Sequence, residues 1–399
     1  MKILHFADIH CREKDFEEVK KCCQTIIDTA REERPDVIIN AGDPFDSQNI
    51  KLDSEPARYM MEFHQQLANI APVAVVLGTP SHDGKAPRAL SFLNEKYNII
   101  VSEHPETLYL TGADLYRRPP SQYKGHDAII SMVPTPTKQY FQGAGGIQST
   151  DEQIGAAMSA ILAGFGATAG QLDCPHILAG HFQVGGAFIT ETQRLVGRDI
   201  EVSRDQIALA NADLVCLGHI HYAQKIGDNI FYSGSVYRKD FGEMERKGFY
   251  IHEIGGDSRF IETPTRRLVK IEADLTNPTP DLNIYDLDAF IYAHPRDTIK
   301  GAFVRCQFRL WQDEAAKLNR ADIEKTLLGM GAEAVEFRCS YVPRENVRST
   351  RILTLATLRE KIRERAELNK EEAPESVLSK ADALEASTRD EVVGHVISM

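Results

Sequence analysis

No apolar run in the 399 residues comes near the roughly 18 to 20 that a membrane-spanning helix needs, so no spanning segment is expected. The N-terminus lacks the basic region, apolar stretch and small-residue cleavage site of a leader. "MKILHFADIH" runs straight into a strand-like pattern, which argues against secretion. Seven scattered cysteines (Cys11, Cys22, Cys23, Cys174, Cys216, Cys306, Cys339) form no CxxC pair. Neither a zinc ribbon nor a disulfide framework is therefore suggested, and a reducing cytoplasm is the expected compartment. There is no G-x-x-x-x-G-K-[ST] loop, so ATP-driven work would belong to another chain. Positive charge is also short: 46 Lys and Arg against 58 Asp and Glu leave a net charge of −12. That argues against a broad nucleic-acid surface, although a locally basic groove or bound divalent cations would reverse the local field.

What remains is a globular composition, 42% hydrophobic and 26% charged, with length for two or three domains. Up to about residue 255, short β-branched runs alternate with helical patterns. Strands are predicted over 2–7, 36–42, 72–78, 127–133, 176–180, 213–218, 229–235 and 247–254, and helices over 15–34, 54–68 and 87–96. Such runs imply an α/β fold with mostly buried sheets covered by helices. A Pro- and Gly-rich loop covers 133–150. Composition shifts at 253–267, a candidate boundary. A small βαβ-like unit follows, with alternating strands at 301–311 and 332–342 around a helix at 320–331. From 346 the tail carries helical patterns at 352–368 and 376–386. In the first, Leu355, Leu358 and Ile362 share a face that needs a partner surface, and Arg359, Lys361, Arg363 and Arg365 cover the rest.

Five separate apolar runs end in His or Asp, the place where open α/β sheets bind ligands. They end in Asp8-Ile9-His10, Gly42-Asp43-Pro44-Phe45-Asp46, Ser81-His82-Asp83, His181 and His219-Ile220-His221. Alternate residues of an extended segment point the same way, so D-x-H and H-x-H each send two side chains to one centre. Carboxylate oxygen and imidazole nitrogen, with no thiolate, suit Mn²⁺, Fe²⁺, Zn²⁺ or, less well, Mg²⁺. About seven ligands are too many for one tetrahedral zinc and suit two cations roughly 4 Å apart, bridged by a carboxylate. Taken singly, each motif is an ordinary turn or capped histidine, and His5, His64, His104, His126, His176, His252, His294 and His395 are given no site role. The joint order of the five motifs is what points to a metal centre.

"ADIH", "AGDPFD", "SHD", "GHF" and "LGHIHYAQ…YSGS" resemble the ordered motifs of the calcineurin-like metallophosphoesterases. Within that superfamily, "MKILHFADIH", "IINAGDPFD" and "CLGHIHYAQKI…FYSGSVYRKDFGE" are similar to the SbcD-type nuclease subunits of DNA double-strand-break repair, most strongly over 1–100 and 175–255. The resemblance implies a four-layer sandwich of two sheets flanked by helices over 1–255. It implies a capping, DNA-binding unit at 256–345, and at 346–399 a helical segment that docks a coiled-coil ATPase of the SbcC type. It implies two divalent cations, most plausibly Mn²⁺, with Asp8, His10, Asp43 and His221 on one. Asp43 would bridge to a second held by His181, His219 and the loop before His82. His82 would face the scissile phosphate as a phosphate-binding group or general acid, and Asp83 would orient it. The family places Gly-Asn-His before that acidic residue, whereas this chain has Gly78-Thr79-Pro80-Ser81-His82-Asp83, two residues longer and without Asn. Ser81 then ligates the second cation, positions a water, or leaves that site weak.

The implied activity is hydrolysis of DNA phosphodiesters by a nuclease subunit, as a homodimer with no membrane partner. Two other readings stand beside it. One is a small-molecule or cyclic-nucleotide phosphodiesterase, which suits the acidic charge. The other is a DNA-clamping scaffold subunit with a weakened second site.

Overall fold

The computed structural model describes residues 1–399 apart from 94, 119–124, 139, 142–150, 191–192, 194–199, 278–290, 293, 345–351, 353, 370 and 389–399. Most of the Pro- and Gly-rich loop and the first residues of the tail lie outside the described residues.

A six-stranded sheet has the order β15-β14-β1-β2-β3-β4. Its strands are β1 (Lys2–Phe6), β2 (Val37–Asn40), β3 (Val73–Val76), β4 (Ile99–Ser102), β14 (Gly248–Glu253) and β15 (Ser258–Glu262). The first four run parallel, and β14 closes antiparallel on β1. A seven-stranded sheet has the order β12-β13-β11-β8-β7-β5-β6. It comprises β5 (Glu106–Thr111), β6 (Asp114–Tyr116), β7 (Ala128–Val133), β8 (His176–His181), β11 (Leu214–Gly218), β12 (Gln224–Ile226) and β13 (Ile230–Tyr232). Here β7, β8, β11 and β13 run parallel. A two-stranded pair, β9 (Gln183–Val184) with β10 (Glu201–Val202), stands apart.

Three apolar cores separate four layers. Ile3, Ile39 and Val76 from the first sheet meet Ile130, Ile177 and Cys216 from the second. Neighbouring positions point the other way, so Leu4, Ile38 and Val75 pack under α1 (Phe16–Glu33) and α2 (Glu55–Ala68). That alternation is the period of two expected where both faces of a sheet are buried. In α1, Val19, Cys22, Cys23, Ile26, Ile27 and Ala30 recur at helical spacing and form one buried stripe. On the outer face of the second sheet, Leu178, Val215 and Leu217 meet Ile154, Met158 and Leu162 of a 19-residue helix, Asp151–Ala169. The four-layer expectation therefore holds. The helix at 151–169 was not predicted, and the stretch at 87–96 forms a shorter 3₁₀ helix, Ala86–Phe92.

One compact unit comprises Met1–Lys270, His294–Arg305 and Leu327–Glu336. Within the composition shift at 253–267, residues 254–257 turn a hairpin between β14 and β15. Gly255 there adopts φ 75°, and β15 returns onto β14. A second unit takes Ile271–Ala293, Cys306–Thr326 and Phe337–Met399. A three-stranded sheet orders β16 (Arg267–Asp274), β17 (Ala302–Trp311) and β18 (Ala334–Val342), and β17 alternates buried with open positions as its sequence predicts. In the tail, helices Leu358–Leu368 and Glu375–Ala386 clasp each other, with Arg359 paired to Glu375 and Asp382. All seven cysteines are free. Cys11, Cys22, Cys23, Cys216 and Cys306 are buried, and Cys174 and Cys339 are half-buried.

Candidate metal centre

Because β1, β2 and β3 share one direction, Asp8 and His10, Asp43, and the turn Pro80–Asp83 all emerge at one edge of the first sheet. In the second sheet β8 and β11 run in register, with His181 opposite Gly218, and deliver His181, His219 and His221. The His181 Nδ1–H donates to the Ala41 carbonyl at 2.7 Å, tying the two edges together.

The backbone is wound to bring these side chains inward. Among the described residues, positive φ outside glycine occurs at Asp8 (53°), His10 (46°), Asp43 (52°) and His219 (89°), and at Arg34, Ala113 and Asn211. Such conformations cost of order 1 to 3 kcal/mol each and persist where surrounding structure over-determines them. Two glycines give the room. A Cβ on Gly78 would fall 2.1 Å from Asp43 Oδ1, and one on Gly42, at φ 103°, would fall 2.3 Å from His181 Nδ1.

Three donor groups share members: Asp8, His10 and His221; His10, Asp43 and His82; Asp8, Asp43 and His181. His10 Nε2 faces His221 Nε2 at 3.0 Å, and each lies near Asp8 Oδ1, at 3.8 and 3.9 Å. Asp43 Oδ2 lies 2.8 Å from His82 Nδ1, 3.3 Å from His181 Nε2 and 3.9 Å from His10 Nε2. The ring of His219 stands edge-on to that of His181, centroids 5.3 Å apart, and its backbone N–H donates to both oxygens of Asp8.

Burial alone would raise the Asp43 carboxyl, but His181, His82 and His10 outweigh it and hold it well below the carboxylate range. Burial dominates at Asp8 and raises it, against His181 and His221. His10 is held well below the imidazole range by burial and then by Lys239. His219 falls to about 3 through burial and the neighbouring His181. At His181, burial lowers the ring, but Asp43 and Asp8 win and raise it to about 9.

This donor set fits divalent cations. Glu243 accepts from His221 Nδ1 at 2.6 Å and Ala41 from His181 Nδ1, so in the neutral rings both Nε2 lone pairs point into the cluster. They meet another imidazole nitrogen and carboxylate oxygens, an arrangement that needs a proton or a cation between the donors. A carboxylate behind a ligating imidazole is the usual support of a metal site. Asp46 stands 3.4 Å behind His10 Nδ1 and is itself braced by Lys239 and Arg12.

The sequence-based candidates Asp8, His10, Asp43, His82, His181, His219 and His221 come together here. Two others do not behave as expected. Ser81 is exposed on the helical turn and its carbonyl accepts from Gln48; the hydroxyl that reaches the cluster is Thr79, 3.3 Å from His181 Nε2. Asp83 is fully buried and accepts from the backbone N–H of Gly78 and Phe45, so it ties two loops together instead of orienting His82. Burial and the Asp43 charge push its carboxyl well above the ordinary range. Sequence reasoning also missed Glu243, whose only signal is the i,i+4 pairing with the fully buried Lys247, 3.1 Å away.

A further cluster, His5, Cys216 and His252, is closed by hydrogen bonds. His252 Nδ1 lies 2.8 Å from the Ser258 hydroxyl, His252 Nε2 3.3 Å from His5 Nδ1, and His5 Nε2 3.2 Å from the Leu217 carbonyl. One set of neutral tautomers satisfies all three, in keeping with a structural role.

A profile of the Calcineurin-like phosphoesterase family matches residues 1–223. The chain is 26% identical over 293 residues, 69% of its length and 72% of the relative's, to the SbcD component of the nuclease SbcCD from Staphylococcus saprophyticus. Among solved structures, GAP50, the anchor in the inner membrane complex of Plasmodium, superposes with a TM-score of 0.43 at 13% identity, over 66% of this chain and 85% of that one. A dimetal phosphatase from Danio rerio superposes at 0.38 with 11% identity, over 63% and 91%. No helix among the described residues is long and apolar enough to cross a membrane. With the profile covering more than half of the chain and every one of its ordered Asp and His motifs gathered at one edge of the sandwich, the chain belongs to the calcineurin-like phosphoesterase family.

Proposed function

We propose that the chain is a metal-dependent DNA nuclease subunit that hydrolyses backbone phosphodiesters and works with an SbcC-type ATPase. The observation that carries the hydrolytic part is the sharing of Asp8 and Asp43 among three donor groups, which suits two adjacent cations better than one. The DNA substrate and the ATPase partner rest on similarity to the staphylococcal SbcCD nuclease component. Asp8, His10 and His221 would hold one cation, and His181 and His219 the other, with Asp43 between them. Such cations, Mn²⁺ in this reading, would supply a water ionised near neutral pH and positive charge for a phosphoryl oxygen.

The chain's own groups do the rest. His82 is partly exposed, at 35% of its side chain, beside buried Asp43, so it is open to a substrate phosphate and placed to protonate a leaving oxygen. Glu243 fixes the His221 tautomer. Phosphate contacts carry no base information, so cleavage would depend little on sequence. The net charge of −12 favours a second reading, a phosphodiesterase for small diesters.

The test is Mn²⁺-dependent cleavage of end-labelled linear DNA against a small aryl phosphodiester, with Asp43→Ala and His82→Ala alongside. His82→Ala is expected to lower DNA turnover by roughly 10²- to 10⁴-fold while ion uptake persists, and Asp43→Ala to lose both. Hydrolysis of the small diester with intact DNA would overturn the nuclease reading in favour of the second.

A further inference from the structure

We infer that Thr79, through its side-chain hydroxyl, is the neutral oxygen ligand of the second cation, beside His181 and Asp43. This rests on the two-cation reading above and adds a residue that the motif pattern did not single out.

Three observations carry it. Thr79 Oγ1 and Asp43 Oδ2 each lie 3.3 Å from His181 Nε2. Around one ion with bonds of about 2.0 to 2.2 Å, adjacent ligand atoms are spaced roughly 3.0 to 3.5 Å apart, so these spacings match a shared ion. The His181 tautomer set by Ala41 leaves the Nε2 lone pair facing both oxygens. Finally, the loop is pinned where this is possible. Thr79 N–H donates to Asp43 Oδ1 at 2.6 Å, and Gly78 lies against Asp43 too closely for any side chain.

The two additional residues of the loop explain why the hydroxyl comes from Thr79. Residue 79 precedes a proline and takes the extended conformation that this position prefers, with φ −65° and ψ 127°. Pro80 then opens a helical turn, Pro80–Asp83, whose Ser81 is left exposed while His82 returns to Asp43. A neutral alcohol is a weaker ligand than an amide carbonyl and prefers hard cations. The second ion should therefore bind more weakly than the first.

The experiment counts ions rather than turnover. The purified full chain is titrated with Mn²⁺, following heat by calorimetry and free Mn²⁺ by electron paramagnetic resonance, with circular dichroism confirming the fold of each variant. Wild type is expected to take up two ions, the second more weakly. Thr79→Val keeps shape and backbone N–H and should weaken only the second ion, by roughly 10- to 100-fold. Thr79→Ser should restore it, and Ser81→Ala should match wild type. Unchanged second-ion affinity in Thr79→Val, or its loss in Ser81→Ala, overturns the assignment while leaving the two-cation reading intact. A wild-type chain that takes up fewer than two ions overturns both.

Discussion

Histidines in this chain divide by what stands behind the ring. At the metal centre a carboxylate or carbonyl holds Nδ1 and turns Nε2 toward other donors, as at His221 and His181. His64, by contrast, spends both nitrogens on structure: on the buried face of α2 it pairs with Asn40 at 3.0 Å and with the Met60 carbonyl at 2.7 Å. Burial lowers His64 from 6.5 to about 4, so between those values the unfolded chain binds a proton that the fold does not. Stability from this residue is present above pH 6.5 and is lost as pH falls toward 4. Urea unfolding in chelator should show wild type losing on the order of 2 kcal/mol more than His64→Gln between pH 7.5 and 5, and equal losses would disprove it. The Asp and His residues of the candidate site were legible because each comes within four positions of the end of an apolar run. Thr79 and Glu243 were not, because a turn of Pro80–Asp83 and a pairing across 22 residues decide where they point.

At the scale of elements, the burial of β1, β2 and β3 was readable from unbroken apolar runs, and their parallel pairing, seen only in the fold, puts three motifs at one edge. Helix Asp151–Ala169 was hidden for an opposite reason. It holds Gly155, Gly164 and Gly166 and is apolar almost all round, so no amphipathic stripe marks it. Gly166 is there for contact, since a Cβ would fall 2.3 Å from the Leu209 carbonyl. In α2, Phe63 is fully buried and meets Phe6 edge-on at 5.6 Å, fastening that helix to β1. Phe63→Ala should cost about 3 to 5 kcal/mol in urea unfolding and leave two-ion uptake unchanged once folded. A loss under 1 kcal/mol would mean that α2 is held by other contacts.

For the whole molecule, the family match ends at residue 223, and the chain beyond β15 has a different composition. If the helices Leu358–Leu368 and Glu375–Ala386 serve the ATPase partner, a chain ending at 345 should bind Mn²⁺ and hydrolyse a small diester like the full chain. It should also fail to co-elute with that ATPase in gel filtration. Co-elution of the shortened chain would move the docking surface elsewhere. The two tail helices have only Leu378 and Ala381 buried, which fits a segment that waits for another surface.

The free thiols lie at graded depths in the fold. Only Cys174, in the first compact unit, and Cys339, in the second, are less than fully buried. Burial pushes Cys11 and Cys22 up to about 12, which keeps them out of reach of thiolate chemistry in the fold. A thiol-reactive dye therefore meets one handle in each unit of the native chain. Cys11, Cys22 and Cys23 lie beneath the first helical layer and Cys216 between the sheets, so a dye reaching them reports which layer has opened. The natural sequence thus comes with its own labelling sites and its own depth gauge.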